Sequence, residues 1–173
     1  MVGMVGAGKT TVARRIAAER HAVRLTPDEW FVPLFGQDFR DHRSPRRRDI
    51  LEGRLVSVAL EILRAGVDVV LDFGCWSRDE RSALRSLAAS LGAECELVYL
   101  PLSPEEQRRR VTTRWAETPH TTFPITDDDL AGWTDAFEVP EPEELQGAPP
   151  GPAPDGYTDW GHWAVERWPS LVI

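Results

Sequence analysis

The chain has 173 residues, 42% of them apolar, and a formal charge of −8. That length suits one domain with a real core, the absence of any apolar run of roughly 18 residues argues against a membrane span, and the overall acidity argues against nucleic acid as the partner. No basic stretch leads into an apolar one at the start, so no secretory leader is expected, and Cys75 and Cys95, outside any C-x-x-C or Cys/His cluster, are expected as free thiols in a reducing cytoplasm.

The elements follow in chain order. Residues 3–10 read G-M-V-G-A-G-K-T, the phosphate-cradling pattern G-x-x-x-x-G-K-[ST], and only Met1 and Val2 precede them. A helix is expected over Lys9–Arg20, with Val12, Ala13, Ile16 and Ala17 on one face. A short strand over 21–25 ends at Thr26-Pro27, and 28–43 reads as a loop rich in aromatics and charge. Ser44-Pro45 opens a helix bearing Ile50, Leu51, Leu55, Ala59, Ile62 and Leu63, and Gly66 closes it. The run VDVVLDFG (67–74) is the clearest buried strand.

Ser77 and Glu80 have capping-box spacing and start a helix through Ala83, Leu84, Leu87 and Leu91, stopped at Gly92. Residues 94–100 are the next expected strand, Ser103 and Glu106 open a helix that reaches about Arg114, and Thr126 with Asp129 caps a short helix bearing Leu130, Trp133 and Phe137. Residues 139–156 hold six prolines and read as a linker or loose wrap, while 157–173 carry three of the seven tryptophans and are expected to dock. The domain organisation expected is 1–138 as the catalytic domain, 139–156 as linker and 157–173 as tail. Alternating strands and helices imply right-handed βαβ units on a mostly parallel sheet, an α/β fold.

Charge is unevenly spread. Residues 1–114 carry 19 basic and 16 acidic side chains, and 115–173 carry 1 and 12. The positive portion suits a polyanionic small ligand such as a nucleotide. Of the 20 basic residues 19 are Arg, and the one Lys is Lys9, at the position where a compact ammonium must sit among phosphates.

Around that loop the sequence offers further candidates. Gly3, Gly6 and Gly8 allow close backbone approach, Lys9 reaches the β- and γ-phosphates, and the Thr10 hydroxyl is placed to ligate Mg²⁺. Asp72 ends the apolar strand, where a carboxylate assists magnesium, or else serves as a turn residue. Asp28 follows the second strand, where it orients or deprotonates an acceptor hydroxyl, or again serves a turn. Arg110 and Arg114 share a helix face and are candidates for stabilising a transferring phosphoryl group, against a plain solvated face paired with Glu106. Arg46, Arg47 and Arg48 sit in a first turn, where the helix dipole disfavours cations; Asp49 and solvent are the expected relief, with an anionic group on the acceptor as the alternative.

With these features in this order, the chain resembles small P-loop kinases, closest to the group of chloramphenicol phosphotransferase and the zeta toxins. The resemblance is carried by GMVGAGKTT, RLTPDEW, VVLDFGCWSRDER and FPITDDDLAGWTDAFEVPEPEEL. It implies a P-loop NTPase fold of three α/β/α layers with sheet order 2-3-1-4-5, and ATP- and Mg²⁺-dependent phosphotransfer to a small-molecule hydroxyl acceptor. By the same resemblance Gly3, Gly6, Ala7, Gly8, Lys9, Thr10 and Thr11 bind the nucleotide, and Thr10 and Asp72 serve the metal. Lys9, Asp28, Arg110 and Arg114 act in catalysis, and Asp28, Trp30, Trp76 and Arg78 line the acceptor pocket.

The departure from the family is the opening, where a full central strand is expected before the loop. Without it neighbouring strands would leave buried backbone groups unsatisfied, at about 1–3 kcal/mol each. The expectation is therefore that the natural gene starts upstream of Met1, or that SLVI at 170–173 fills the gap. A small-molecule kinase is the leading reading, with a zeta-like nucleotide-sugar kinase and a non-catalytic nucleotide-binding protein as alternatives.

Overall fold

Local signals set most of the helix ends. In a computed structural model of the protein, which describes residues 1–36, 44–118 and 124–173, α1 spans Lys9–Arg20, β1 Val23–Leu25, α2 Pro27–Phe35, α3 Ser44–Arg64, β2 Val69–Leu71, α4 Arg78–Ser90, α5 Pro104–Glu117, α6 Asp127–Ala136, α7 Pro142–Leu145 and α8 Trp160–Arg167. The capping box expected at Ser77 forms, and the expected Thr126 cap forms as one too: the Ser77 hydroxyl accepts from the Glu80 N–H and the Thr126 hydroxyl from the Asp129 N–H, each carboxylate returning the bond to the cap residue. Ser103 caps α5 at the Glu106 N–H, with Pro104 in the first turn.

β1 and β2 pair in parallel, with Val23 opposite Val69, Arg24 opposite Val70 and Leu25 opposite Leu71. Beyond them Val2, fully buried, forms parallel bridges to Gly74 on one side and Tyr99 on the other. The spatial order is thus β1, β2, Val2, Tyr99, with the last two present as single bridging residues. Alternation puts Val69 and Leu71 against Leu25, Phe31, Leu51, Leu55 and Ala59. Val70 faces the other way, into a cluster with Met1 and Ala13.

Four expectations are corrected here. The segment 94–100 forms no continuous strand. It exchanges two hydrogen bonds with Val2, whose N–H donates to Val98 O (2.9 Å) and whose carbonyl accepts from the Leu100 N–H (3.0 Å), and one bridging residue does not extend a ladder. SLVI does not fill the centre of the sheet: Leu171 packs with Val56, Leu60 and Trp168, and the Val172 N–H donates to the Ser57 hydroxyl (2.9 Å). Part of the expected loop at 28–43 is the helix α2, because Pro27 presets its first turn, Asp28 and Glu29 complement its dipole, and Phe31 buries its inner face. The remainder, 37–43, lies outside the described residues.

The fourth correction concerns 139–156. Prolines leave this stretch short of N–H donors, yet its carbonyls are used: Ala148 O accepts from Arg85 and Gly151 O from Trp160 Nε1 (2.7 Å). Within α7, Glu144 is buried against Arg81 in a bidentate pair, both N···O distances being 2.9 Å. Arg81 Nη1 also donates to Glu138 O (2.9 Å) just upstream of this stretch. The stretch is tied down rather than loose.

The tail docks as expected. Trp160, Ala164, Trp168 and Leu171 share a core cluster with Val56 and Leu60 of α3 and Ala83 and Leu87 of α4. At the point of contact α3 carries Gly53, where an added Cβ would lie 2.6 Å from Ser170 Oγ, 2.9 Å from Leu171 N and 3.1 Å from Trp168 Cβ. Among the described residues no helix is long and apolar enough to cross a membrane.

Candidate functional site

The turn before α1 is built for close approach. Gly6 and Gly8 hold φ of 82° and 86°, the left-handed region that side chains disfavour. Gly8 takes the N-cap position of α1 without a side-chain cap, so the first amides of the helix carry no side-chain acceptor from that position. Lys9 Nζ donates to Gly3 O (2.9 Å) and Met4 O (3.0 Å), curling back over the turn. Burial lowers the Lys9 pKa from its ordinary 10.5, against the pull of Asp72 and Asp28. Gln107 Nε2 of α5 donates to Val5 O (3.3 Å), which pins α5 beside the loop.

A cavity of about 850 Å³ opens from this turn and is lined there by Gly6, Gly8, Lys9, Thr10 and Thr11. Asp72, Asp28 and Trp76 reach it from the sheet edge and α2, and Arg110 and Arg114 from α5. The Asp72 carboxylate is almost fully buried. Arg24 Nη1 lies 3.5 Å from it and the Thr26 hydroxyl 3.4 Å. Arg110 donates to Gly6 O (3.3 Å) while its Nε sits 2.5 Å from Glu106 Oε1. Glu106 thus pairs with Arg110 and with Arg109, whose hydrogen bonds hold its carboxyl down to about 2.

Trp30 and Arg78 are not brought to this cavity. Trp30 is 52% exposed on α2. The Arg78 guanidinium lies 3.4 Å from Glu141, turned toward the Pro-rich segment. Gly3 and Ala7 belong to the turn without lining the cavity; at Gly3 (φ 147°) a Cβ would stand 2.9 Å from Leu100 O, so its glycine serves packing against 94–100.

A second group of lining residues lies outside the expected set. Arg48, placed among the first-turn arginines, donates to Asp28 Oδ1 and to Glu52 Oε1, both at 2.8 Å. Its relief is therefore Asp28 and Glu52; Asp49 instead pairs with Arg167 (2.5 Å). Burial pushes the Glu52 carboxyl above its ordinary 4.5, against the pull of Arg48. Glu52, Glu80, Arg167, Trp168, Phe31 and Trp133 also line the cavity. The i,i+4 spacing of Arg48 and Glu52 was the available signal; for Arg167 and Trp168 the sequence held none beyond the tail's tryptophan content.

Cys75 also lines the cavity, in a left-handed conformation (φ 44°), and burial pushes its thiol up to about 12, which disfavours the thiolate. Cys95 is free and exposed.

The donor set fits a nucleotide and a hard cation. Among the described residues no group of three or more His, Cys, Asp or Glu side chains is placed to hold a metal. An ion here would rest on the Thr10 hydroxyl, Asp72, phosphate oxygens and water, the mixed shell magnesium favours. A family model, the AAA domain, matches residues 1–140, from the phosphate loop to the edge of the Pro-rich segment. No curated protein matches the chain.

Proposed function

Because the chain belongs to the AAA domain family of P-loop nucleotide-binding proteins, we propose that it is an ATP- and Mg²⁺-dependent kinase that transfers the γ-phosphoryl group to a hydroxyl of a small molecule. The observation that carries this reading is one continuous cavity whose lining brings Gly6, Gly8, Lys9 and Thr10 together with Asp28. Within the family, the RLTPDEW and VVLDFGCWSRDER motifs support a place near chloramphenicol phosphotransferase and the zeta toxins, with a three-layer α/β/α architecture.

The turn amides and Lys9 bind the triphosphate, and Thr10 with Asp72 would hold magnesium, which would neutralise charge on the phosphates. Arg110 and Arg114 face the same space and stabilise the equatorial oxygens of the transferring group. Asp28 orients the acceptor hydroxyl and takes its proton as the new O–P bond forms, the γ-phosphorus parting from the β,γ-bridging oxygen and ADP leaving. In the structure Arg48 holds Asp28 Oδ1, which fixes the carboxylate's direction. Acceptor binding needs neither nucleic acid nor membrane.

The test is ATP consumption, followed by phosphorus NMR of the product, with a panel of hydroxylated small molecules. Asp28→Asn should lower kcat by about 10²–10⁴-fold with ATP affinity unchanged. Undiminished turnover in that variant would remove Asp28 from its role.

A further inference from the structure

One wall of the cavity draws on parts of the chain that the family match does not cover. Glu52 of α3 is its buried centre: Oε1 accepts from Arg48 Nε (2.8 Å) and Oε2 from Trp168 Nε1 (3.3 Å), across 116 residues. Trp168 is 1% exposed, and with Arg167 it lies beyond residue 140, where the match ends. Arg167 braces the wall by donating to Glu80 Oε1 from Nε (3.1 Å) and Nη2 (2.7 Å) and to Asp49 through Nη1. Glu80 is used up in this: its other oxygen accepts from the backbone N–H groups of Trp76 (3.0 Å) and Ser77 (3.3 Å).

Glu52 differs from Glu80. A carboxylate has about four acceptor directions, and Glu52 spends two hydrogen bonds on Arg48 and Trp168, with Arg167 Nη2 3.9 Å from its Oε2, while lining the cavity. The charges on the wall, Asp28, Glu52 and Glu80 against Arg48 and Arg167, nearly cancel and are already interleaved. Each guanidinium here is already paired with carboxylates, so a charged acceptor would have to displace an existing ion pair, which a neutral one need not do. Trp76 and Trp133, with ring centroids 5.9 Å apart, and Phe31 supply apolar faces beside these polar groups.

Resting on the kinase reading, we propose that the tail completes the acceptor subsite. Glu52, held by Trp168, is the specificity-determining residue, and it accepts a hydrogen bond from a second hydroxyl of a neutral, polyhydroxylated ring while Asp28 faces the hydroxyl that is phosphorylated. Trp168 is a positioning residue acting through Glu52. A carboxylate short of solvation gains from one more donor, in keeping with the upward push that burial gives Glu52. A site made to accept from a hydroxyl rejects analogues that lack it.

Calorimetry of ATP with magnesium tests the underlying reading by itself; absence of binding heat sinks the kinase assignment and the subsite with it. Turnover, and saturation-transfer NMR in the presence of ADP, are then measured with glucose, myo-inositol and uridine as neutral probes, glucose 6-phosphate as an anion and glucosamine as a cation. A neutral probe is expected to bind and to accept phosphate in preference to the charged ones. Trp168→Phe, which keeps the ring and deletes the donor, should raise that probe's KM about tenfold with kcat and ATP affinity little changed. Glu52→Gln, which must turn its amide donor toward Arg48 or Trp168, should do the same, and decides the matter alone if Trp168→Phe does not fold. Preference for a charged probe, no binding of any neutral one, or an unmoved KM in the folded variants overturns the proposal, while intact ATP binding leaves the kinase reading standing.

Discussion

Gly6, Gly8 and Lys9 make their turn from neighbours in the chain, held by backbone conformation and by Lys9 reaching Gly3 O and Met4 O. Elsewhere in the cavity, Asp28, Arg48, Glu52, Arg167 and Trp168 come from α2, α3 and the tail and are held by side chains touching one another. One side is a local motif with little to misplace; the other is a network in which each charge depends on a partner from elsewhere. The phosphate side should therefore tolerate tail damage, and the acceptor side should not. It is also the networked side that is free to differ between relatives sharing the same loop.

The sharpest break in that comparison is Arg81→Ala. It strands the buried Glu144 and releases the segment leading to the tail, and should lower stability by about 3–5 kcal/mol in urea denaturation. A loss below about 1 kcal/mol would mean the pair does not anchor 139–156. Next is Lys9→Met, expected to reduce kcat by about 10²–10³-fold in an ATP turnover assay while the melting temperature and acceptor binding stay near those of the unaltered protein. Ser77→Ala removes one half of the capping box of α4 and should cost about 1 kcal/mol in thermal denaturation.

The smallest effect is a pH dependence. Burial works against the charge on Glu144, but the Arg81 hydrogen bonds outweigh it and hold the pKa below its ordinary 4.5. A carboxyl depressed in the folded state stabilises fully above 4.5, and that share is lost as pH falls through the folded value. Glu52, pushed up by burial, contributes with the opposite sign and offsets part of the loss. Urea denaturation at neutral pH and below pH 4.5 should show the stability gap between the unaltered protein and Glu144→Gln narrowing on the acid side. A gap independent of pH would mean that Glu144 is not held charged by Arg81.

What was legible in the sequence tracks how far each interaction reaches. The caps at Ser77 and Thr126, the helix after Lys9 and the β2 run are decided within a few residues, and all stand in the structure. The loop glycines and Lys9 were legible for the same reason, and so was the tail's docking, from its tryptophans. The segment 94–100 was not, since its pairing depends on what lies beside it, and among the described residues its bridge partner is the single residue Val2. In α2, Pro33 and the crowd of aromatics masked a helix that Pro27 and burial of Phe31 enforce. Trp30 and Arg78 follow the motif yet point away from the cavity, because Trp30 lies on an open face of α2 and Glu141 draws Arg78 aside. Glu52 and Trp168 meet across 116 residues, beyond the reach of any local pattern.

Gly53 gives the network its weak hinge point. A glycine inside a helix forgoes about 1 kcal/mol relative to alanine, and α3 accepts this because the backbone of Leu171 occupies the space a methyl group would fill. A single added carbon there would act as a wedge, prising the last residues off α3 and loosening Trp168 from Glu52 without altering any charged group. Nucleotide handling and acceptor choice would then come apart in one molecule, which makes this position the natural place to ask whether the chain's end is a selector or only a strut.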